Sequence, residues 1–273
     1  MKSLCKKVPI YVWALLLVLC VGTSIIFFDV METRSHLAKY FFGNGHSDIA
    51  LALYPHDAEL LELIGHYYMG VGEYDTQKAT VAYERALAQS STTLWAEYQL
   101  GRIAFVQGNF TEAHRRFEHA LMQNPYNKRI VYARGVLYAY EKNWSLAEKD
   151  FNEFMAWAPT EWGAYNDLAW VLAEQQKFDE SERIAQKGID TAKDGNTNPW
   201  LWNALGVAEY NLNLFDKAKV SFEKAKQYSA LLSTREWVQA YSANDPAHAE
   251  SALINFKKNI DENRLKSIMK SGG

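Results

Sequence analysis

The sequence predicts an all-α protein: a solenoid of about five helix pairs with capping helices behind it and one transmembrane helix in front. Three observations carry this. A small residue flanked by apolar ones returns at Gly65, Gly101, Gly135, Ala169 and Gly206, at spacings of 36, 34, 34 and 37 residues. Pro125 and Pro159 stand at the ends of two of these periods, where a proline cannot continue a helix. Ahead of the periods, 21 residues from Val8 to Phe28 carry no charge.

That run comes first in the chain. As a helix rising about 1.5 Å per residue it reaches about 31 Å, enough to cross a hydrocarbon core. A cleavable signal has an apolar stretch of roughly 7 to 15 residues followed by small ones. Gly22-Thr23-Ser24 fits such an end, but Ile25 to Phe28 prolong the run and favour an uncleaved anchor. Leu19 before Cys20 speaks against a lipoprotein site. Lys2, Lys6 and Lys7 precede the run, whereas Asp29, Glu32, Arg34 and Lys39 follow it without a positive bias. Residues 1–7 are therefore expected in the cytoplasm, 8–28 as a signal anchor in the cell membrane, and the repeat array outside the cytoplasm.

Composition narrows the function classes. With 48% apolar and 22% charged residues among 273, the chain is ordinary globular material. Its 29 Lys and Arg against 32 Asp and Glu leave a net charge of −3, so no basic excess points to nucleic acid. Cys5 and Cys20 are the only cysteines, which leaves the array without a thiol for a disulfide or a zinc site.

Within the array, further columns repeat in register. An aromatic follows each small residue at Tyr74, Phe110, Trp144, Phe178 and Phe215, then a small residue at Ala79, Ala113, Ala147, Ser181 and Ala218. A second aromatic stands at Tyr83, Phe117, Phe151 and Phe222, with Ala185 as the exception, and the units close on Ala86, Ala120, Phe154, Gly188 and Ala225. This pattern, plain in LGRIAFVQGNFTEAHRRFEHALMQNP from Leu100 to Pro125, resembles the tetratricopeptide repeat (TPR) family. The resemblance implies a right-handed α-solenoid in which small residues let helices A and B of a pair approach closely. It places units at 57–92, 93–127, 128–161, 162–198 and 199–230, after a helical connector at 29–56 and before capping helices and a tail at 231–273.

Departures from the pattern predict local differences. Two extra residues between Tyr74 and Ala79 predict a longer first turn. Asp194 to Asn198 add residues before Pro199, which suits the first position of a helix. Phe154 replaces a small residue and predicts wider helix spacing in the third unit, and Arg134 beside Gly135 is expected to snorkel or to be paired. Before the array, residues 30 to 42 read as a helix broken by Gly43-Asn44-Gly45. After it, Trp237 and Tyr241 share one helix; Asp245-Pro246 then opens another, with a stripe of Ala249, Leu253, Phe256 and Ile260.

A search for chemistry returns little. His36, His46, His56 and His66 recur every ten residues, but Gly43, Gly45 and Pro55 interrupt the helix that would align them. His114 and His119 are off the spacing of a helical metal pair, and no phosphate loop or nucleophile elbow occurs. No enzyme activity, metal or cofactor is expected. What remains is the face of the helices A that the resemblance turns to the concave side, and the groove residues chosen there are Trp95, Tyr98, Arg102, Phe105, Arg129, Tyr132, Asn166, Trp170, Asn203 and Tyr210. Aromatics supply contact area at low entropy cost, and amides and guanidinium pair with backbone groups or a carboxylate. Some family members hold a C-terminal carboxylate with Lys, Asn and Arg; here Glu62, His66, Tyr98 and Tyr132 occupy the corresponding faces, so that role is not carried over. The expected function is a membrane-anchored scaffold that binds a protein or peptide and serves assembly or upkeep of an envelope complex. The alternative is an enzyme or regulatory subunit of envelope glycan transfer whose groove holds sugar.

Overall fold

A computed structural model describes residues 30–90, 93–240 and 248–271. The chain divides into two compact units, one up to Ala96 and one from Glu97 onward. Among the described residues it is all helical, apart from one isolated antiparallel bridge between Met69 and Tyr74.

The first unit holds α1 (30–43), α2 (Ser47–Ala52), α3 (Ala58–Tyr68), α4 (Thr76–Gln89) and the start of α5 (Leu94–Val106). Gly45, at φ +80°, ends the first of these. Asp57 caps α3 by accepting from Leu60 N at 3.0 Å, and Asp75 caps α4 by accepting from Gln77 N and Lys78 N at 3.0 and 2.9 Å. The turn between α3 and α4 is longer than its later counterparts, because α4 starts two residues after Tyr74 rather than on the aromatic.

The second unit continues α5 into α6 (Phe110–Gln123), then α7 (Lys128–Tyr140), α8 (Trp144–Trp157), α9 (Trp162–Glu174), α10 (Phe178–Thr191), α11 (Pro199–Asn211), α12 (Phe215–Ala230), α13 (Thr234–Ala240) and α14 (Ala249–Ser271). Consecutive helices pack as pairs, and α14 lies along α12 with Leu253 and Ile260 buried. Asn198 caps α11 by accepting from Trp200 N and Leu201 N, with Pro199 in the first turn. The Asp245-Pro246 start lies outside the described residues.

The pairs close on a glycine against a ring. A Cβ at Gly101 would lie 2.5 Å from the Phe117 ring, at Gly206 2.8 Å from that of Phe222, and in the first unit at Gly65 2.7 Å from that of Tyr83. Contacts this short do not exist in folded proteins, so only glycine lets the helices approach so far. The approach is least close in the α7–α8 pair, 3.0 Å at Gly135, where Phe154 replaces a small residue and meets the Tyr132 ring at 5.0 Å. The α9–α10 pair inverts the arrangement. Ala169 and Ala185 are both fully buried, and the bulk comes from Tyr165 on α9, whose Cβ approaches to 2.7 Å of a Cβ built at Gly188.

Charged or polar pairs cross the seams of the second unit. Arg134 binds Asp150 through Nε and Nη2 at 2.7 and 2.8 Å, which raises the guanidinium above its ordinary pKa, as its pairing with a buried acid requires. At the same helix-B position, Arg116 meets Glu97 at 3.1 Å and Ser221 donates to Glu209 at 2.6 Å. Each of the four turns from helix A to helix B in the second unit also passes through a positive-φ residue: Gly108, Lys142, Gln176 and Asn213, at φ of 75°, 60°, 61° and 61°.

One expectation about the membrane needs correction. Among the described residues no helix is long and apolar enough to cross a membrane, since even α14, at 23 residues, carries charges along its length from Glu250 to Lys270. This overturns the placement of the chain as a single-pass membrane protein with its array outside the cytoplasm. The run 8–28 read as a transmembrane signal anchor lies outside the described residues.

Three stability measurements follow. Gly101→Ala is expected to lower stability by about 1–3 kcal/mol, because the Phe117 ring must move. Gln176→Gly, at an exposed left-handed position, is expected to raise it by about 0.5–1 kcal/mol. Burial pushes the Glu209 carboxyl above its ordinary pKa, with Glu182 adding to the shift and Ser221 opposing it. The stability its protonated form contributes is therefore full below the ordinary carboxylate pKa and lost as pH rises through the raised value. Glu209→Gln should remove that decline, so that the variant is the more stable chain at neutral pH in denaturant titrations and its advantage shrinks in acid.

Candidate functional site

The helices A of the second unit line a cleft of about 320 Å³. Arg102 and Phe105 come from α5; Tyr132, Val136 and Tyr140 from α7; Asn166, Asp167 and Trp170 from α9; Trp200 from α11. Trp237 of α13 and Phe256 of α14 complete the wall. A second cleft of about 460 Å³ shares Asn166, Trp170, Trp200 and Phe256 with the first and adds Asn203, Val207 and Asn211. The helical period explains the selection. Residues three before, one after and four after the close-approach position of each helix A share one stripe, beside the face that meets helix B, and Phe117 of α6 and Phe151 of α8 join them in the lining.

Aromatic rings give the cleft its walls. Phe105 and Tyr140 meet edge to face at 5.1 Å, and Tyr140 reaches Trp170 at 5.9 Å. Deeper along the array Trp162 stacks on Trp200 at 4.8 Å with 18° between planes, and Trp200 in turn stacks on Phe256 at 5.7 Å.

Polar groups are few and placed. The Tyr132 hydroxyl donates to Asp167 Oδ2 at 2.6 Å, and Asn166 Nδ2 donates to Asp167 Oδ1 at 3.0 Å. Both oxygens of this buried carboxylate, 8% exposed, are thus held. Tyr132 can reach across from α7 to α9 because Gly163 leaves room: a Cβ there would lie 2.9 Å from the hydroxyl. Burial raises the Tyr140 phenol above its ordinary pKa, and the nearby Asp167 charge adds to it. Arg102 donates through Nη1 to Gln99 Oε1 at 2.7 Å and lies 5.8 Å from the Tyr98 ring centre. Its Nε is buried and makes no hydrogen bond among the described residues, and the same holds for Asn203 Oδ1.

Of the residues chosen from sequence, Arg102, Phe105, Tyr132, Asn166 and Trp170 line the first cleft, and Asn203 lines the second. The others go elsewhere. Tyr98, only 5% exposed, packs against the Phe117 ring of α6 at 6.3 Å. Arg129 is exposed in the first turn of α7 and lines none of these cavities. Tyr210 lines a separate cavity of about 200 Å³ with Lys266 of α14. Trp95 belongs to the first unit, half-buried and edge-on to His66 at 6.2 Å. Sequence reasoning missed Tyr140, Asp167, Trp237 and Phe256. Tyr140 sits five residues after Gly135, one position beyond the stripe, and the last two belong to helices read as caps. Among the described residues no group of three or more His, Asp and Glu is arranged to hold a metal ion. A cleft with this lining can hold an apolar side chain on its walls and a polar group at Arg102.

Comparison with known proteins agrees on the fold. The tetratricopeptide repeat model matches residues 163–194, which span α9 and α10. A tetratricopeptide repeat protein from Parabacteroides merdae superposes with a TM-score of 0.59 at 18% identity, over 88% of this chain and 99% of that one. YrrB, described as a TPR protein with an unusual peptide-binding site, gives 0.50 at 20% identity, over 63% and 87%. By sequence, the chloroplastic PsbB mRNA maturation factor Mbb1 of Chlamydomonas reinhardtii is 29% identical over 82 residues, 30% of this chain but 12% of that protein's length. At these identities the structural likeness is one of fold. The array is a tetratricopeptide-like α-solenoid, carrying in α9 and α10 the repeat that the family's own model matches.

Proposed function

We propose that this chain is a binding scaffold whose second unit takes a short peptide segment of a partner protein in the aromatic cleft between α5 and α11. One observation carries the reading. Arg102 presents a buried guanidinium nitrogen without a hydrogen-bond partner beside an aromatic wall. Leaving such a donor unsatisfied costs roughly 1–3 kcal/mol, which a ligand carbonyl or carboxylate would relieve. The cleft volume suits one or two side chains, being at the lower end of the roughly 300–1,000 Å³ of ligand pockets. Asn166 and Asp167 are held in place by Tyr132, so the polar edge is pre-organised. The peptide-binding description of YrrB supports the class of ligand, and no catalytic role is proposed.

The test separates wall from core. Peptides selected from a random library on the full chain are titrated against variants by fluorescence anisotropy. Trp170→Ala, at a position 38% exposed, should weaken binding by tenfold or more, as loss of a central aromatic anchor does, with a small change in melting temperature. Tyr98→Ala should instead lower stability by about 3–5 kcal/mol, as for a large buried aromatic. Arg102→Gln should weaken an acidic peptide more at low than at high salt. Unchanged binding in both cleft variants would refute the reading.

A further inference from the structure

The aromatic cleft already has a neighbour from its own chain. Helix α13 does not follow the pairing of the array: it packs against α14 rather than against a helix B, and its residues from Thr234 to Glu236 are exposed. Its one large aromatic side chain, Trp237, meets the Trp200 ring at 5.7 Å and Phe256 at 5.2 Å and forms part of the cleft wall. Polar contacts of the segment include two that involve Glu236 and Lys257. Glu236 Oε2 accepts from Ser233 N and Oγ within the segment itself, and Lys257 Nζ of α14 reaches the Leu232 carbonyl at 3.2 Å. Trp200, only 8% exposed, is stacked against Trp162 and Phe256, so Trp237 joins a wall made of rings.

We infer that the cleft recognises an aromatic side chain of a partner segment, and that Trp237 of α13 is its resident competitor, seated where part of that segment docks. This rests on the peptide-binding reading and adds the ligand's anchor chemistry and a self-docked state. The volume left with Trp237 in place, about 320 Å³, admits a side chain or two; a segment with its backbone needs the space that α13 occupies. The apparent affinity for a partner is then reduced by the fraction of chains in which α13 is docked.

The probe is a fluorescein-labelled, amidated peptide of residues 231–240, LLSTREWVQA, titrated by anisotropy against the full wild-type chain and its Trp237→Ala variant. The peptide is expected to bind the variant at least tenfold more tightly than the wild type, and the same peptide carrying Trp237→Ala should bind neither. Trp237→Phe, which keeps a ring in place, should behave like the wild type and controls for folding together with helical circular dichroism. Equal affinity for wild type and Trp237→Ala, or weaker binding to the variant, would overturn the inference, since Trp237 would then be a fixed wall. Library-selected peptides tell this failure from failure of the underlying reading. If they bind and depend on Trp170 and Arg102 while the 231–240 peptide does not bind, only the self-docked state is wrong.

Discussion

The contact on which the rest depends is a ring lying against a bare Cα. Where Phe117 meets Gly101 and Phe222 meets Gly206, the space for even one methyl group is gone. A single pair built this way is too small to bury its outer faces, so each pair must stack on the next and burial becomes a property of the row. The α9–α10 pair shows that the constraint is on summed bulk rather than on residue identity. There the ring moves to Tyr165 and the small residues to Ala185 and Gly188, and the seam stays filled.

Close seams fix what the opposite face can do. With helix B held against one side of each helix A, the stripe beside that contact is left to line the cleft, where its polar side chains can satisfy one another. Some do, as Tyr132 and Asn166 do for Asp167. Others do not, as with Arg102 Nε and Asn203 Oδ1. The buried charges inside the seams are different in kind. Arg134 with Asp150 and Arg116 with Glu97 are mutually satisfied and set the register of helix on helix.

Most of the fold is legible in the sequence because close approach permits so few residues at its columns. The small residues, the turn aromatics and the rings of helix B mark the helix pairs from α3 to α12, and the odd Ala185 announces the inverted pair. Less legible is the turn position occupied by Gly108, Lys142, Gln176 and Asn213: the left-handed backbone is common to all four, but only the glycine advertises it. The cleft stripe is half legible. Arg102, Phe105, Tyr132, Asn166 and Trp170 follow from helical period alone, whereas Tyr98 obeys the same period and is buried, since a period gives a face and not the depth to which the neighbouring helix covers it. Trp237 and Phe256 are placed on C-terminal helices by their spacing but not in the cleft, because their docking depends on how those helices fold back on α11 and α12. The apolar run at 8–28 lies outside the described residues, among which no helix is long and apolar enough to cross a membrane.

The central claim is that the second unit binds through the face carried by α7, α9 and α11. Hydrogen–deuterium exchange of the full chain, with and without a saturating peptide, tests it most directly. The account predicts that peptide-dependent protection falls on 128–140, 162–174 and 199–211, with the outer helices at 144–157 and 178–191 unchanged. Protection confined to those outer helices or to residues 58–89 would contradict it.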